Sequence, residues 1–184
     1  MMIDSQEYDL NGMRYKIRSA IAGDARKLSK LRLQIDGETE HLDRERGEAY
    51  IDPLGFELLI QSDTERLRNL FLVVEVNDEL VAYSRCEGND LKRYSHKVEF
   101  GVCVRKDYWG FGIGKNLLQR SIEWADRSNI LKMTLSVLET NHKAVELYKR
   151  YSFVVEGILR NDRVLAYGNY YNTIVMGRLN DKSI

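Results

Sequence analysis

The 184-residue chain has a single proline, Pro53, and no serine- or glycine-rich tract, so nothing in it reads as an interdomain linker. One domain spanning residues 1–184 is expected, with a core from roughly Arg14 to Leu179. Net charge is also missing, because 28 Lys plus Arg balance 28 Asp plus Glu. Without a basic excess there is no electrostatic footprint for nucleic acid or other polyanions. No apolar run approaches the roughly 18 residues of a membrane span, and the first residues, MMIDSQEYDLNGMRYKI, are acidic and polar, unlike a secretory leader. Cysteine is scarce as well. Cys86 and Cys103 sit in apolar, strand-like segments with no metal-ligand spacing, and read as buried free thiols of a cytoplasmic protein. The expected partners therefore include neither metal, membrane nor nucleic acid.

Glycine is where the chain becomes informative. In VCVRKDYWGFGIGKNLLQRSIEWA, Val102 to Ala125, a β-rich run ends in Gly110, Gly112 and Gly114, and a helical pattern follows at once. Glycine tolerates φ > 0 and lets a ligand approach the backbone. Unpaired N–H groups at a helix start form an anion site, reinforced by the helix dipole. A phosphate or pyrophosphate cradle is expected, against the alternative of a structural strand-to-helix turn. The spacing excludes familiar nucleotide loops: Lys115 is followed by Asn116 rather than Ser or Thr, and the glycines run G-x-G-x-G instead of G-x-G-x-x-G.

Periodicity places the remaining elements. Arg14–Ser19 reads as an opening strand and Ala25, Leu28, Leu31 and Ile35 as one face of a helix. The charged segment from Asp36 to Pro53 reads as a solvated loop or exposed helix, and Phe56–Leu70 as a second helix. Phe71–Val76 and Leu80–Glu87 form a hairpin about Asn77-Asp78, and His96–Val104 is a strand with Glu99, Gly101 and Cys103 on one face. After the glycines come a helix (Ile113, Leu117, Leu118, Ile122, Ala125), a strand (Leu131–Val137) and a helix (Asn141–Tyr151). Two final strands, Phe153–Leu159 and Tyr170–Leu179, turn at Tyr167-Gly168-Asn169. This order predicts an α/β chain of the α+β type, with a mixed, mostly antiparallel sheet flanked by helices.

Two segments together resemble the GNAT acetyltransferases. Trp109-Gly110-Phe111-Gly112-Ile113-Gly114 is similar to the family's [RQ]-x-x-G-x-[GA] turn, in the form of a subgroup with Trp-Gly at its start. NHKAVELYKRYSFVVEG, Asn141 to Gly157, resembles N-x-x-A-x-x-L-Y-x-x-x-G-F-x-x-x-G, with Ser152 in place of one glycine. The resemblance implies a sheet splayed between its fourth and fifth strands, where the pantetheine arm of acetyl-CoA pairs with the backbone of Val102, Cys103 and Val104. It also implies pyrophosphate on the N–H groups of Gly110, Phe111, Gly112, Ile113, Gly114 and Lys115, with Asn141 on the pantetheine. Acetyl-CoA is the implied co-substrate, and a homodimer is a possibility the family raises.

The implied reaction is transfer of acetyl to a primary amine by direct attack, the acceptor being open among a small amine, a polyamine, an amino-acid derivative and a protein N-terminus, with an inactive acyl-CoA sensor as the alternative. Tyr148 matches the family's helical tyrosine, the acid for the leaving thiolate, and also borders the cofactor. Phenol and thiol pKa values of about 10 and 8.5 make that transfer cost on the order of 2 kcal/mol if unperturbed. Glu99, in the run EFGVCV, resembles a strand glutamate that deprotonates the amine directly or through water. His96 is the next candidate base, and Ser136 stands where another family position carries a glutamate. GNYYNTIVMG resembles the closing hairpin of ribosomal-protein and phosphinothricin-like acetyltransferases, with Asn172 at an aspartate position. Glu38, Glu40, Asp43, Glu45 and Glu48 raise a further expectation, that an acidic mouth selects a cationic amine; Arg44 and Arg46 lie among them.

Overall fold

The computed structural model describes residues 2–180. The chain starts with a hairpin that periodicity did not reveal: β1 (Gln6–Leu10) and β2 (Met13–Ser19) pair with Leu10 opposite Met13. Asn11 and Gly12 between them have φ of 52° and 79°, the left-handed pair that a tight hairpin requires and Asn-Gly supplies. The sheet therefore begins before Arg14. It continues through β3 (Leu70–Val76), β4 (Glu79–Gly88), β5 (Lys97–Val104), β6 (Lys132–Leu138), β7 (Val154–Val164) and β8 (Tyr170–Leu179). The strand order is β1-β2-β3-β4-β5-β6-β8-β7, with only β5 and β6 parallel among the described strands.

Helices cover both faces. α1 (Ala25–Asp36) and α2 (Pro53–Glu65) bury Leu28, Leu31, Ile35, Phe56 and Ile60 against Phe71, Val73 and Cys103. α3 (Ile113–Arg127) and α4 (His142–Arg150) bury Ile113, Leu117, Leu118, Val145 and Tyr148 with Val98, Phe100 and Met133. Each fully buried Leu or Phe contributes about 1.5–3 kcal/mol. The alternation of β5 thus sorts its side chains between two cores, with Glu99, Gly101 and Cys103 on the α1–α2 face. α2 starts earlier than periodicity predicts, because the Asp52 carboxylate accepts from the Gly55 N–H at 2.7 Å and Pro53 takes the first turn. It ends at Glu65, since Arg66 is extended. No helix among the described residues is long and apolar enough to cross a membrane.

The feature that positions the site is a failure of pairing. β5 and β6 are in register at Lys97↔Lys132, Val98↔Met133 and Glu99↔Thr134, and then diverge. β4 holds β5 along its other edge as far as Val104, and β8 holds β6 as far as Leu138. Both strands therefore remain rigid while a gap opens between them, and this is the splay expected between the fourth and fifth strands of the sequence reading.

Candidate active site

From the point where β5 and β6 part, a cleft of about 1380 Å³ runs between the α1–α2 face and the start of α3. At one end lies the glycine turn. Gly110 and Gly112 have φ of 89° and 73°, and Gly112 caps α3 without any side-chain capping bond. The first helical bond is Asn116 N–H to the Gly112 carbonyl at 2.9 Å. The N–H groups of Ile113, Gly114 and Lys115 consequently have no acceptor among the described residues. A Cβ at Gly110 would meet nothing within 4 Å, and one at Gly114 only Val104 Cγ2 at 3.8 Å. These two glycines thus leave space on the cleft side, while a Cβ at Gly112 would come within 2.5 Å of Leu10 Cδ2. The arrangement fits a pyrophosphate. Ile113 is buried, so it faces this end through its backbone alone, whereas Lys115 is exposed on the rim.

The turn is held from behind by residues that motif reasoning missed. The Tyr15 hydroxyl on β2 donates to the Phe111 carbonyl at 3.3 Å and accepts from Asn116 Nδ2 at 2.7 Å. Asn11 Nδ2 donates to the Gly110 carbonyl at 3.4 Å. The Asn-Gly pair was the available signal, because it announces a hairpin whose second strand carries Tyr15.

The free edge of β5 follows from strand parity. Arg105 N–H bonds the Val81 carbonyl, while the His96 carbonyl accepts from Leu131 and Lys132. Odd residues therefore direct their backbone groups to β4 and even residues to the gap. Val102 and Val104 present main-chain groups there, but the Val104 carbonyl already accepts Trp109 Nε1 at 2.8 Å, leaving its N–H. For Cys103 the expectation needs correcting: its backbone belongs to the β4 pairing opposite Tyr83, and the thiol is what reaches the cleft. Burial pushes that thiol up to about 11, so it stays protonated near neutral pH.

Tyr148 on α4 lines the cleft and is buried, its ring packed on Phe153 at 5.8 Å between centroids. Burial, then the neighbouring Cys103, pushes its phenol up to about 12. Asn141 caps α4 by accepting from the Ala144 N–H at 3.3 Å, which leaves its amide NH2 for the cleft it lines. Glu99 lines the cleft where the strands part and has no ion pair with Lys97 or Arg93 among the described residues. His96 does not join it. Its side chain is exposed outside the cleft, and its carbonyl fastens β6 at the closed end of the gap. Ser136 lines the opposite wall. Sequence reasoning also missed His41 and Tyr83. The His41 ring stacks on Trp109 at 6.5 Å and is held below its ordinary pKa by burial. Burial also raises the Tyr83 phenol well above its usual range, with Cys103 adding to the effect.

The acidic loop is used differently from an acidic mouth. Glu38 accepts from the Lys106 N–H at 2.7 Å, Glu40 from the Ala166 N–H at 3.1 Å, and Glu48 from the Glu45 N–H at 2.8 Å. Asp43 pairs with Arg163 at 2.5 Å. Glu38, Glu40 and Asp43 thus strap the loop between the glycine turn and the last hairpin, while Glu48 ties the loop to itself. Asn172 helps fix that hairpin, donating through N and Nδ2 to Glu139 at 2.6 and 3.0 Å.

The comparisons fit this geometry. The acetyltransferase (GNAT) family model matches residues 36–153, well over half of the chain. The chain is 28% identical over 109 residues to the L-amino acid N-acetyltransferase AaaT of Escherichia coli, covering 59% of this chain and 67% of that protein. A GNAT-family acetyltransferase from Streptococcus pneumoniae superposes with a TM-score of 0.87 at 25% identity, covering 90% of this chain and 99% of that one. A putative acetyltransferase from Salmonella typhimurium, solved with its cofactor acetyl-CoA, has a TM-score of 0.80 at 21% identity over 91% and 94% of the two chains. An open strand edge leading to an uncapped glycine turn is what this match would require, and the chain belongs to the GNAT acetyltransferase family.

Proposed function

We propose that this chain acetylates a primary amine by direct attack, with Glu99 as base and Tyr148 as acid. The observation carrying the proposal is that both side chains line one continuous cleft with the glycine turn. Acetyl-CoA supplies an activated thioester, whose C–S bond breaks as the new C–N bond forms. The N–H groups of the glycine turn hold the anionic end, and the gap-facing groups of Val102 and Val104 align the arm beside β5.

Glu99 stands four residues from Cys103 on the same face, about 13 Å along the strand at ~3.3 Å per residue. At that distance a chain of several waters, not direct contact, carries the amine proton to its carboxylate. Tyr148, at about 12, remains an O–H donor throughout the physiological range. Full proton transfer to a thiolate of pKa ~8.5 would be uphill by on the order of 5 kcal/mol. Its role is accordingly to hydrogen-bond the departing sulfur and deliver the proton late, regaining one from solvent.

Tyr148→Phe and Glu99→Gln are expected to lower kcat by about 10²-fold or more while acetyl-CoA affinity stays within a few-fold. Free thiol release with an amine panel provides the assay. Retained turnover in both variants refutes the assignment. A protein that binds acetyl-CoA yet releases no thiol with any amine would instead be an acyl-CoA sensor.

A further inference from the structure

We infer that Gly101 is the specificity-determining position of the acceptor side: the side chain it lacks is the space in which the carbon bearing the attacking amine lies. This deepens the proposed acetyltransferase reading and rests on it. A glycine inside a strand weakens that strand, so its presence calls for a cause. Crowding explains Gly88 at the end of β4, where a Cβ would meet Arg68 at 2.7 Å. Gly101 has no such reason. Its φ lies outside the left-handed region, β4 and β5 pair across it without a register shift, and an added Cβ would meet nothing within 4 Å. Nor does its backbone face the gap, because as an odd residue of β5 it bonds β4, opposite Arg85. Close approach of a ligand to its Cα is the cause that remains.

The two faces of the sheet assign that ligand. Ile113 at the glycine turn and Tyr148 pack in the core on the α3–α4 side, whereas Cys103 packs on the α1–α2 side. Glu99 and Gly101 share the face of Cys103, and all three line the cleft. The donor arm therefore reaches the gap from the α3–α4 side, along Val102 and Val104. The space over Gly101, on the other side and between Glu99 and Cys103, belongs to the acceptor.

That space is kept open by neighbours that are tied down. Arg85, directly across the ladder, is long enough to cover Gly101, but its Nε and Nη2 donate to Asp63 at 2.6 and 2.9 Å and its Nη1 to Glu87 at 2.7 Å. The loop between α1 and α2 lines the same cleft through Leu42, Arg44 and Ile51. It is strapped by Glu38, Glu40 and Asp43, and it folds back on α1, where Arg44 Nη2 donates to Asp36 at 3.2 Å and Arg32 lies 3.7 Å from the same carboxylate. Walls held in this way do not withdraw to admit both a side chain at 101 and a substrate. A single added carbon in such a pocket shifts kcat/KM by about 10- to 200-fold.

The test compares the whole chain with its Gly101→Ala and Gly101→Val variants, using acetyl-CoA with benzylamine, isoamylamine, spermidine and a heptapeptide with a free N-terminus. Since the new Cβ meets nothing and glycine is the more costly residue to order, Tm should rise by about 1–4 °C in Gly101→Ala. Acetyl-CoA Kd should stay within about twofold, because the donor lies on the other face. For each amine that the parent chain acetylates, kcat/KM should fall about tenfold or more with alanine and further with valine, mainly through KM. A glycine kept for folding would instead show a lower Tm in Gly101→Ala. That result, or unchanged kcat/KM in Gly101→Val, overturns the inference and leaves the acetyltransferase reading intact. Calorimetry of the same amines against protein saturated with coenzyme A reads the site without turnover: weaker binding in both variants supports the acceptor space even if no amine reacts, and equal binding refutes it. Amines neither bound nor acetylated by the parent chain would remove both claims together.

Discussion

Removing one oxygen from β2 should weaken a site that Tyr15 never enters. Tyr15→Phe deletes the hydroxyl that receives Asn116 Nδ2 at 2.7 Å and donates to the Phe111 carbonyl at 3.3 Å. Asn116 is 7% exposed, so its amide is left in the protein interior without this acceptor. That loss costs about 1–3 kcal/mol. At about 2 kcal/mol, and ~2–4 °C per kcal/mol for a domain of this size, Tm should fall by roughly 4–8 °C. The bond to Phe111 is long and contributes less to stability, but it steadies the peptide between the two left-handed glycines. Loosening it should weaken acetyl-CoA binding about 3- to 10-fold, or roughly 0.7–1.4 kcal/mol, with kcat nearly unchanged. Scanning calorimetry reads the first effect and titration calorimetry with acetyl-CoA the second. An unchanged Tm together with an unchanged acetyl-CoA Kd would refute the idea that the N-terminal hairpin sets the geometry of the turn.

Other consequences follow from the same contacts. Gly112→Ala puts a Cβ at φ 73° and within 2.5 Å of Leu10 Cδ2; the left-handed strain alone costs about 1–2 kcal/mol, visible in urea midpoints, and acetyl-CoA affinity should fall with it. Asp63→Ala leaves Arg85 with only Glu87 and should cost about 3 kcal/mol or more in chemical denaturation, whereas an exposed pair such as Arg14–Asp9 should cost under ~1 kcal/mol. Burial raises Cys103 from 9.0 to about 11, Cys86 from 9.0 to about 12, and Tyr148 from 10.0 to about 12. Raised folded-state values favour the protonated native state, so their stabilisation is complete below pH ~9 and is lost as pH rises from ~9 to ~12. Urea midpoints should fall over that window, and iodoacetamide should label either thiol in the native protein at pH 7.5 far more slowly than in the unfolded chain.

The motifs were legible because each element carries its own physics. Three glycines beside a helix start signal an anion cradle whatever surrounds them, and the strand pattern of Val98 to Val104 reports which face is buried. The splay was legible only through resemblance, since no property of Phe100 or Leu135 alone indicates that their strands have separated. Arg44 shows the other limit. In the sequence it is one basic residue in an acidic loop, and its position beside Asp36 and Arg32 arises from folding that loop across α1. The same folding assigns Glu38, Glu40 and Asp43 to strapping contacts, which charge composition could not distinguish from a cationic-substrate mouth. His96 misled for a related reason: residue type made it a candidate base, but the turn before β5 directs its side chain away from the cleft.

The central claim is that acetyl passes directly to an amine held in the cleft, without visiting the protein. Rapid mixing of the protein with acetyl-CoA alone, followed by intact-mass analysis and thiol detection, tests this most directly. The buried, protonated Cys103 predicts no stoichiometric burst of thiol and no gain of one acetyl group in mass, with thiol appearing only once an amine is added. One equivalent of thiol released before any amine is present, with acetyl found on Cys103, would contradict the account.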